Sequence, residues 1–135
     1  MVKTVVNRLR HFFLSPAFLL FLLGLIFVYH LIASFFGWYE QNALFGSPNH
    51  FLGGAWIACA VIFFAKTRST LFSFPSNSLG RVVVIVAYVL FAGVMWEFFE
   101  FSIDYISSSF SMPLALQSSL GDTMGDLFLD IAGGI

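Results

Sequence analysis

Residues 82–103 read VVVIVAYVLFAGVMWEFFEFSI, an apolar run that carries only two charged side chains, Glu97 and Glu100. A transmembrane helix needs about 20 mostly apolar residues, so this stretch is predicted to span a membrane. Its two acids lie three residues apart in the C-terminal half, and therefore on one face of the helix. Ionisable groups inside a bilayer are costly and usually functional, so these acids are the first candidates for a site.

Three further apolar segments accompany it, at residues 16–36, 50–65 and 120–135. The last covers only about 24 Å as a helix, so we expect it to end within the bilayer, to tilt little, or to continue in a longer natural chain. Hydrophobic residues make up 59% of the 135 and charged residues 10%, against about 25% charged in a soluble domain. We therefore predict a single all-α domain, residues 1–135, built as an antiparallel bundle of four transmembrane helices surrounded by lipid.

The basic residues indicate how the bundle is oriented. They are Lys3, Arg8, Arg10, Lys66, Arg68 and Arg81. All six share one side of the predicted topology, which by the positive-inside rule places the N-terminus in the cytoplasm. The first apolar segment is too long for a signal peptide, so we expect it to remain as an anchor. Residues 5–13 are expected to form either an amphipathic lead-in on the membrane surface or a disordered basic tail. The chain has no run of basic residues, which excludes a nucleic-acid binder.

Six of the seven acids form two stripes at helical spacing. The third span carries Glu97, Glu100 and Asp104 within an arc of about 60°. The fourth carries Asp122, Asp126 and Asp130 within about 80°. Gly121 and Gly125 lie beside the second stripe and favour close approach of another helix, so the stripe is expected to face the bundle interior. Glu40, the seventh acid, is expected to be solvated in its loop.

A carboxylate at the centre of a span costs about 2.5–3.5 kcal/mol, and the half of the bundle that holds the acids contains neither Lys nor Arg. Protonation, a water-filled cavity or a bound cation must therefore compensate the charge. We predict a divalent metal site whose ligands are His50, Glu97, Glu100, Asp122 and Asp126. Such a set suits Mg, Mn, Ca or Fe, and also Zn. Protonated acids that hydrogen-bond between helices are the structural alternative.

Two other residues could take part in chemistry, but a structural role is the better expectation for each. His30 is expected to make a buried interhelical hydrogen bond rather than to supply a further ligand. Cys59 is expected to act as a small hydrophobic residue.

Three short motifs occur in order: HFLGG at 50–54, WEFFEF at 96–101 and GDTMGDL at 121–127. This order resembles the YjdF-like family of small bacterial inner-membrane proteins over roughly residues 37–135, and is more distantly similar to VanZ-like membrane proteins. The family pattern matches His50, Glu97, Glu100, Asp122, Thr123 and Asp126. Asp130 has no counterpart in it. The resemblance implies a multi-pass protein of the inner (plasma) membrane, in the cell envelope, and no particular reaction. A likeness of the acid spacing to CDP-alcohol phosphotransferases fails because their upstream segment is absent.

Three functions fit these features. The first is an outward-facing cation pocket that binds, or acts on, an envelope lipid head group, with one free Glu as general base. The second is a proton or cation pathway, which the apolar inner halves of the first two spans disfavour. The third is an accessory subunit of a larger membrane complex or a homo-oligomer. We rank the cation pocket first, with binding better supported than catalysis.

Overall fold

The computed structural model describes residues 12–68, 74–110, 116–117 and 119–135, and every regular element in them is helical. The helices are α1 (Pro16–Phe35), α2 (Trp38–Gln41), α3 (Ser47–Thr67), α4 (Ser78–Ser109) and α5 (Leu120–Gly134), with a 3-10 turn at Ala43–Phe45. Residues 5–11 of the predicted lead-in and the side chain of Glu40 lie outside this description. The all-α prediction is confirmed for the described residues.

Three of the helices are long and apolar enough to cross a membrane. Mean hydropathy reaches 2.4 in α1, 1.4 in α3 and 2.3 in α4. The structure extends α4 to 32 residues, well beyond the predicted 82–103, because polar residues at both ends continue the helix past its apolar centre. The fourth predicted span, α5, has 15 residues, and its passage through the bilayer remains a prediction.

Helix α5 has its polar face inside and its apolar face outside. Asp126 and Asp130 are only 8% and 5% exposed, whereas Met124 and Phe128 are 57% and 69% exposed. Asp122, at the start of the helix, is half-buried. A helix surrounded by water would show the reverse arrangement, so this one suits a lipid environment. The expectation that this stripe faces the bundle is confirmed for Asp126 and Asp130. The expected close approach at Gly121 and Gly125 is wrong: a Cβ atom would meet only Ser119 Oγ, at 3.7 Å, at Gly121 and no atom within 4 Å at Gly125.

Local sequence signals position the helix starts. Ser15 caps α1 by accepting a hydrogen bond from the Phe18 amide at 3.1 Å, and Pro16 occupies the first helical position. Asn77 caps α4, and Ser119 caps α5 through the Asp122 amide. Gly37 adopts φ 62°, a left-handed conformation that lets the chain turn sharply from α1 into α2. The Ser119 cap places Asp122 in the first turn of α5.

The most extensive helix contact joins α3 to α5, which are not consecutive in sequence. A side chain at Gly54 would run into the Asp130 backbone, and one at Gly133 would run into the Phe51 backbone, so only glycine permits this approach. The two helices run in the same direction, while α4 packs antiparallel to both. Consecutive long helices therefore pack antiparallel, as predicted. The closest pair, α3 and α5, is parallel, because Gly54 and Gly133 allow these two backbones to meet.

Charge is segregated along the bundle. His50 lies in the first turn of α3 and Lys66 in its last turn. In α4 the order is reversed, with Arg81 in the first turn and the acids Glu97 and Glu100 in the second half. The described basic residues therefore lie at the opposite end of the bundle from the acids.

Candidate metal centre

Three helices each supply one side chain to a buried group of possible metal ligands. His50 of α3, Glu97 of α4 and Asp126 of α5 offer ligand atoms that all lie within 4.8 Å of one another. His50 Nε2 is 3.6 Å from Asp126 Oδ2 and 4.0 Å from Glu97 Oε1. The side chains are only 6%, 8% and 12% exposed for His50, Glu97 and Asp126 respectively. We refer to these three residues as the His50 cluster.

The opposite edge of the His50 ring faces a fourth acid. Nδ1 lies 3.4 Å from Oδ1 of Asp130, whose side chain is 7% exposed. In metal sites the ligating histidine usually donates its second N–H to a carboxylate, which sets the tautomer and the ring orientation. The placement of Asp130 matches that arrangement and leaves Nε2 directed at Glu97 and Asp126.

Two carboxylate oxygens in this region are buried and accept no hydrogen bond from the described residues: Glu97 Oε1 and Asp130 Oδ2. An unsatisfied buried acceptor costs about 1–3 kcal/mol, and more when it is charged. Glu97 Oε1 faces the His50 cluster, where a positive charge would compensate it. The donor set present therefore fits a small cation.

The segment before α5 is attached to α4 by Asp104. Its two carboxylate oxygens accept the Leu116 amide at 3.1 Å and the Gln117 amide at 2.9 Å. The Gln117 side chain in turn donates to Thr123 Oγ1 at 2.9 Å and to Glu97 Oε2 at 3.4 Å. Gln117 thus orients a cluster carboxylate. Sequence reasoning missed it because it lies in a loop, outside any helical periodicity.

Glu100 and Asp122, the other two predicted ligands, lie outside the His50 cluster. Glu100 accepts a hydrogen bond from Trp96 Nε1 at 2.8 Å, and Asp122 is half-buried. Both line a cavity of about 30 Å³ that also reaches His50 and Asp126. Such a volume holds about one water molecule. The structure therefore brings together three of the five predicted ligands and places the other two around an adjoining cavity.

A neutral hydrogen-bond network forms the far wall of this cavity. The Tyr39 hydroxyl accepts from Asn49 Nδ2 at 2.9 Å and lies 3.1 Å from His30 Nδ1. Burial raises the pKa of Tyr39 to about 12, so the hydroxyl stays protonated near neutral pH. The interhelical hydrogen bond expected for His30 is therefore present, with Tyr39 of α2 as the partner, but it is half-buried rather than buried.

Fold and site together define a helical membrane protein with a buried histidine–carboxylate cluster. The chain belongs to the family of predicted membrane proteins DUF2238, whose model matches residues 2–135. All three motifs at 50–54, 96–101 and 121–127 fall inside that match, which does not confirm the YjdF-like or VanZ-like names. No curated protein and no solved structure matches the chain.

Proposed function

We propose that the protein binds a divalent cation within its membrane domain, through His50, Glu97 and Asp126. One observation carries this proposal: ligand atoms from three helices converge within 4.8 Å, and one of them, Glu97 Oε1, is buried without a hydrogen-bond donor. Three protein ligands leave coordination positions for water or a substrate, as in catalytic rather than structural metal sites. The proposal therefore includes access for a further ligand.

The positions of the basic side chains support a metal ion rather than an ion pair. Within the described ranges, Lys66, Arg68 and Arg81 lie at the far end of the bundle. Salt bridges to Glu97, Asp126 and Asp130 come from His50 alone among the described residues. Several carboxylates around one imidazole leave a negative excess, which a divalent ion would offset.

The ligand chemistry favours a transition metal. One imidazole with two carboxylates suits Mn²⁺, Fe²⁺ or Zn²⁺, whereas Ca²⁺ takes six to eight oxygen ligands and Mg²⁺ retains several waters. Mn²⁺ is the most convenient probe because its binding is read directly by electron paramagnetic resonance.

Glu97→Gln tests the proposal, because it removes a ligand charge with little change of shape. The purified full-length protein is expected to bind Mn²⁺, to melt at higher temperature with Mn²⁺ and to melt lower with chelator. At 100 times Kd the ion should stabilise the fold by about 2.7 kcal/mol. Glu97→Gln should abolish both Mn²⁺ binding and the chelator effect. Glu100→Gln is the matched control: it makes the same change one turn away, outside the His50 cluster, and should retain binding.

The alternative is that the acids are protonated and hydrogen-bond between helices or relay protons. In that case Glu97→Gln is expected to change the stability in the opposite direction. A neutral amide would then mimic the uncharged acid, and Glu97→Gln would leave the protein as stable or more stable. A wild-type protein whose melting is indifferent to chelator, combined with stabilisation by Glu97→Gln, would overturn the metal proposal.

A further inference from the structure

A lateral groove of about 440 Å³ opens between α1, α3 and α4. Most of its walls are apolar; they include Phe27, Gly53, Ile57, Val89, Ala92 and Phe99. Phe27 and Phe99 are 59% and 49% exposed, so the groove communicates with the surroundings of the bundle. In a membrane these surroundings are hydrocarbon, and the volume lies within the range of about 300–1,000 Å³ typical of small-molecule sites.

One end of the groove is polar. His50 and Asp130 line that end, and His30, Asn49, His50 and Trp96 separate the groove from the 30 Å³ cavity described above. An apolar channel therefore leads from the side of the bundle to the Asp130 side of the His50 ring. A ligand that matched it would have an apolar body and a polar end.

The polar end has a defined requirement. Asp130 Oδ2 is buried without a hydrogen-bond donor and lies against Gly93, another residue of the groove wall. It needs an N–H or O–H group. A carboxylate head group offers only acceptors and would leave this oxygen unsatisfied, whereas a hydroxyl or an amine would donate a hydrogen bond to it.

We propose that this groove binds the hydrocarbon chain of an amphiphile whose non-anionic head group donates a hydrogen bond to Asp130. The apolar walls hold the chain, and the Asp130 carboxylate selects the head. The position of the head group beside a bound cation rests on the proposed function above. The groove and its unsatisfied acceptor do not depend on that cation.

Photolabelling tests the proposal. The full-length protein is placed in phosphatidylcholine vesicles with oleyl alcohol that carries a photoactivatable diazirine in mid-chain, and labelled residues are mapped by mass spectrometry. Labels are expected on the groove faces of α1, α3 and α4. Unlabelled oleyl alcohol and oleylamine should compete, and oleate should compete at least about tenfold more weakly, a difference equivalent to about 1.4 kcal/mol. The stronger of the first two competitors identifies the head group as hydroxyl or amine.

Gly53→Leu provides a variant that fills the groove. A side chain added at Gly53 meets no atom within 4 Å, so it enters the open groove without a clash. We expect it to reduce labelling about tenfold. Gly24→Leu is the matched control, because Gly24 also faces open space but lies on α1 outside the groove. It should label like wild type.

Three results would overturn the groove proposal: equal labelling of Gly53→Leu and wild type, labels distributed evenly over lipid-facing residues, or competition by oleate equal to that by oleyl alcohol. Mn²⁺ binding is measured on the same samples. Specific groove labelling in a protein that binds no Mn²⁺ would support the groove and contradict only the cation site. Mn²⁺ binding without groove labelling would overturn only the groove.

Discussion

The two ring nitrogens of His50 face different partners, and this division organises the site. Nε2 faces Glu97 and Asp126, while Nδ1 faces Asp130 at 3.4 Å. An imidazole that binds a metal through one nitrogen must be neutral, and its other nitrogen then carries the proton. Asp130 lies where it can accept that proton's hydrogen bond, so we assign it to orienting His50 rather than to ligation.

Asp130→Asn should weaken Mn²⁺ binding about 10- to 100-fold without abolishing it, because loss of a carboxylate behind a ligating histidine typically has that effect. Titration of Mn²⁺ monitored by electron paramagnetic resonance gives the affinity. The melting temperature of the chelated variant separates this effect from general loss of structure. An affinity equal to that of wild type would refute the orienting role, and complete loss comparable to Glu97→Gln would indicate direct ligation.

Between whole helices, the contact of α3 with α5 places His50 beside the acids. The backbones approach so closely that Cβ atoms at Gly54 and Gly133 would collide with the facing helix. A Cβ atom at Gly125 of α5 would have no atom within 4 Å. Gly125 and Gly133 lie on the same short helix, but only Gly133 lies where the backbones of α3 and α5 meet.

Gly54→Ala should destabilise the protein by about 1–3 kcal/mol, the usual cost of overpacking a tight interface. Gly125→Ala is the control, and it should be neutral or stabilise by up to about 1 kcal/mol through helix propensity. Thermal unfolding in detergent with chelator measures both without a contribution from bound metal. Equal melting temperatures for the two variants would contradict the close contact of α3 with α5.

Over the whole molecule, apolar side chains face outward and charges separate toward the two ends. Phe35, Phe91 and Phe128 are 84%, 68% and 69% exposed. A water-soluble protein rarely presents such large rings over contiguous surface, so the exterior suits lipid. The His50 cluster lies near the end formed by α2 and residues 116–117, and the described basic residues lie at the other end. By the positive-inside rule, we propose that the cluster faces the outside of the cell.

Cysteine labelling tests this orientation. In a Cys59→Ala background, which removes the native thiol, Gln41→Cys should react with an impermeant maleimide added to intact cells. Ser76→Cys, before α4 at the opposite end, should react only in inverted vesicles. Both positions are exposed, so reagent access is matched. The reverse pattern would place the site in the cytoplasm.

Composition and periodicity were sufficient to predict the four longer helices and the placement of their polar faces, but not the short α2. The apolar length of residues 16–36, 50–65 and 82–103 exceeds what a soluble core could hide, so three spans followed directly. The spacing of Asp126 and Asp130 placed both on one face, because a helix repeats every 3.6 residues whatever it packs against. Glu97 and Asp126 could be named as candidate ligands for the same reason, and His50 because it lies at the same end of its span as the acids.

The pairing of these faces depended on tertiary structure. Periodicity sets the direction of a side chain around its own helix, but not the depth or rotation of one helix relative to another. Those are set here by the contacts of Gly54 and Gly133, which bring Asp130 to His50 and leave Glu100 and Asp122 around the adjoining cavity. Gln117 depends on loop closure through Asp104, a contact between residues 13 positions apart that no local pattern encodes.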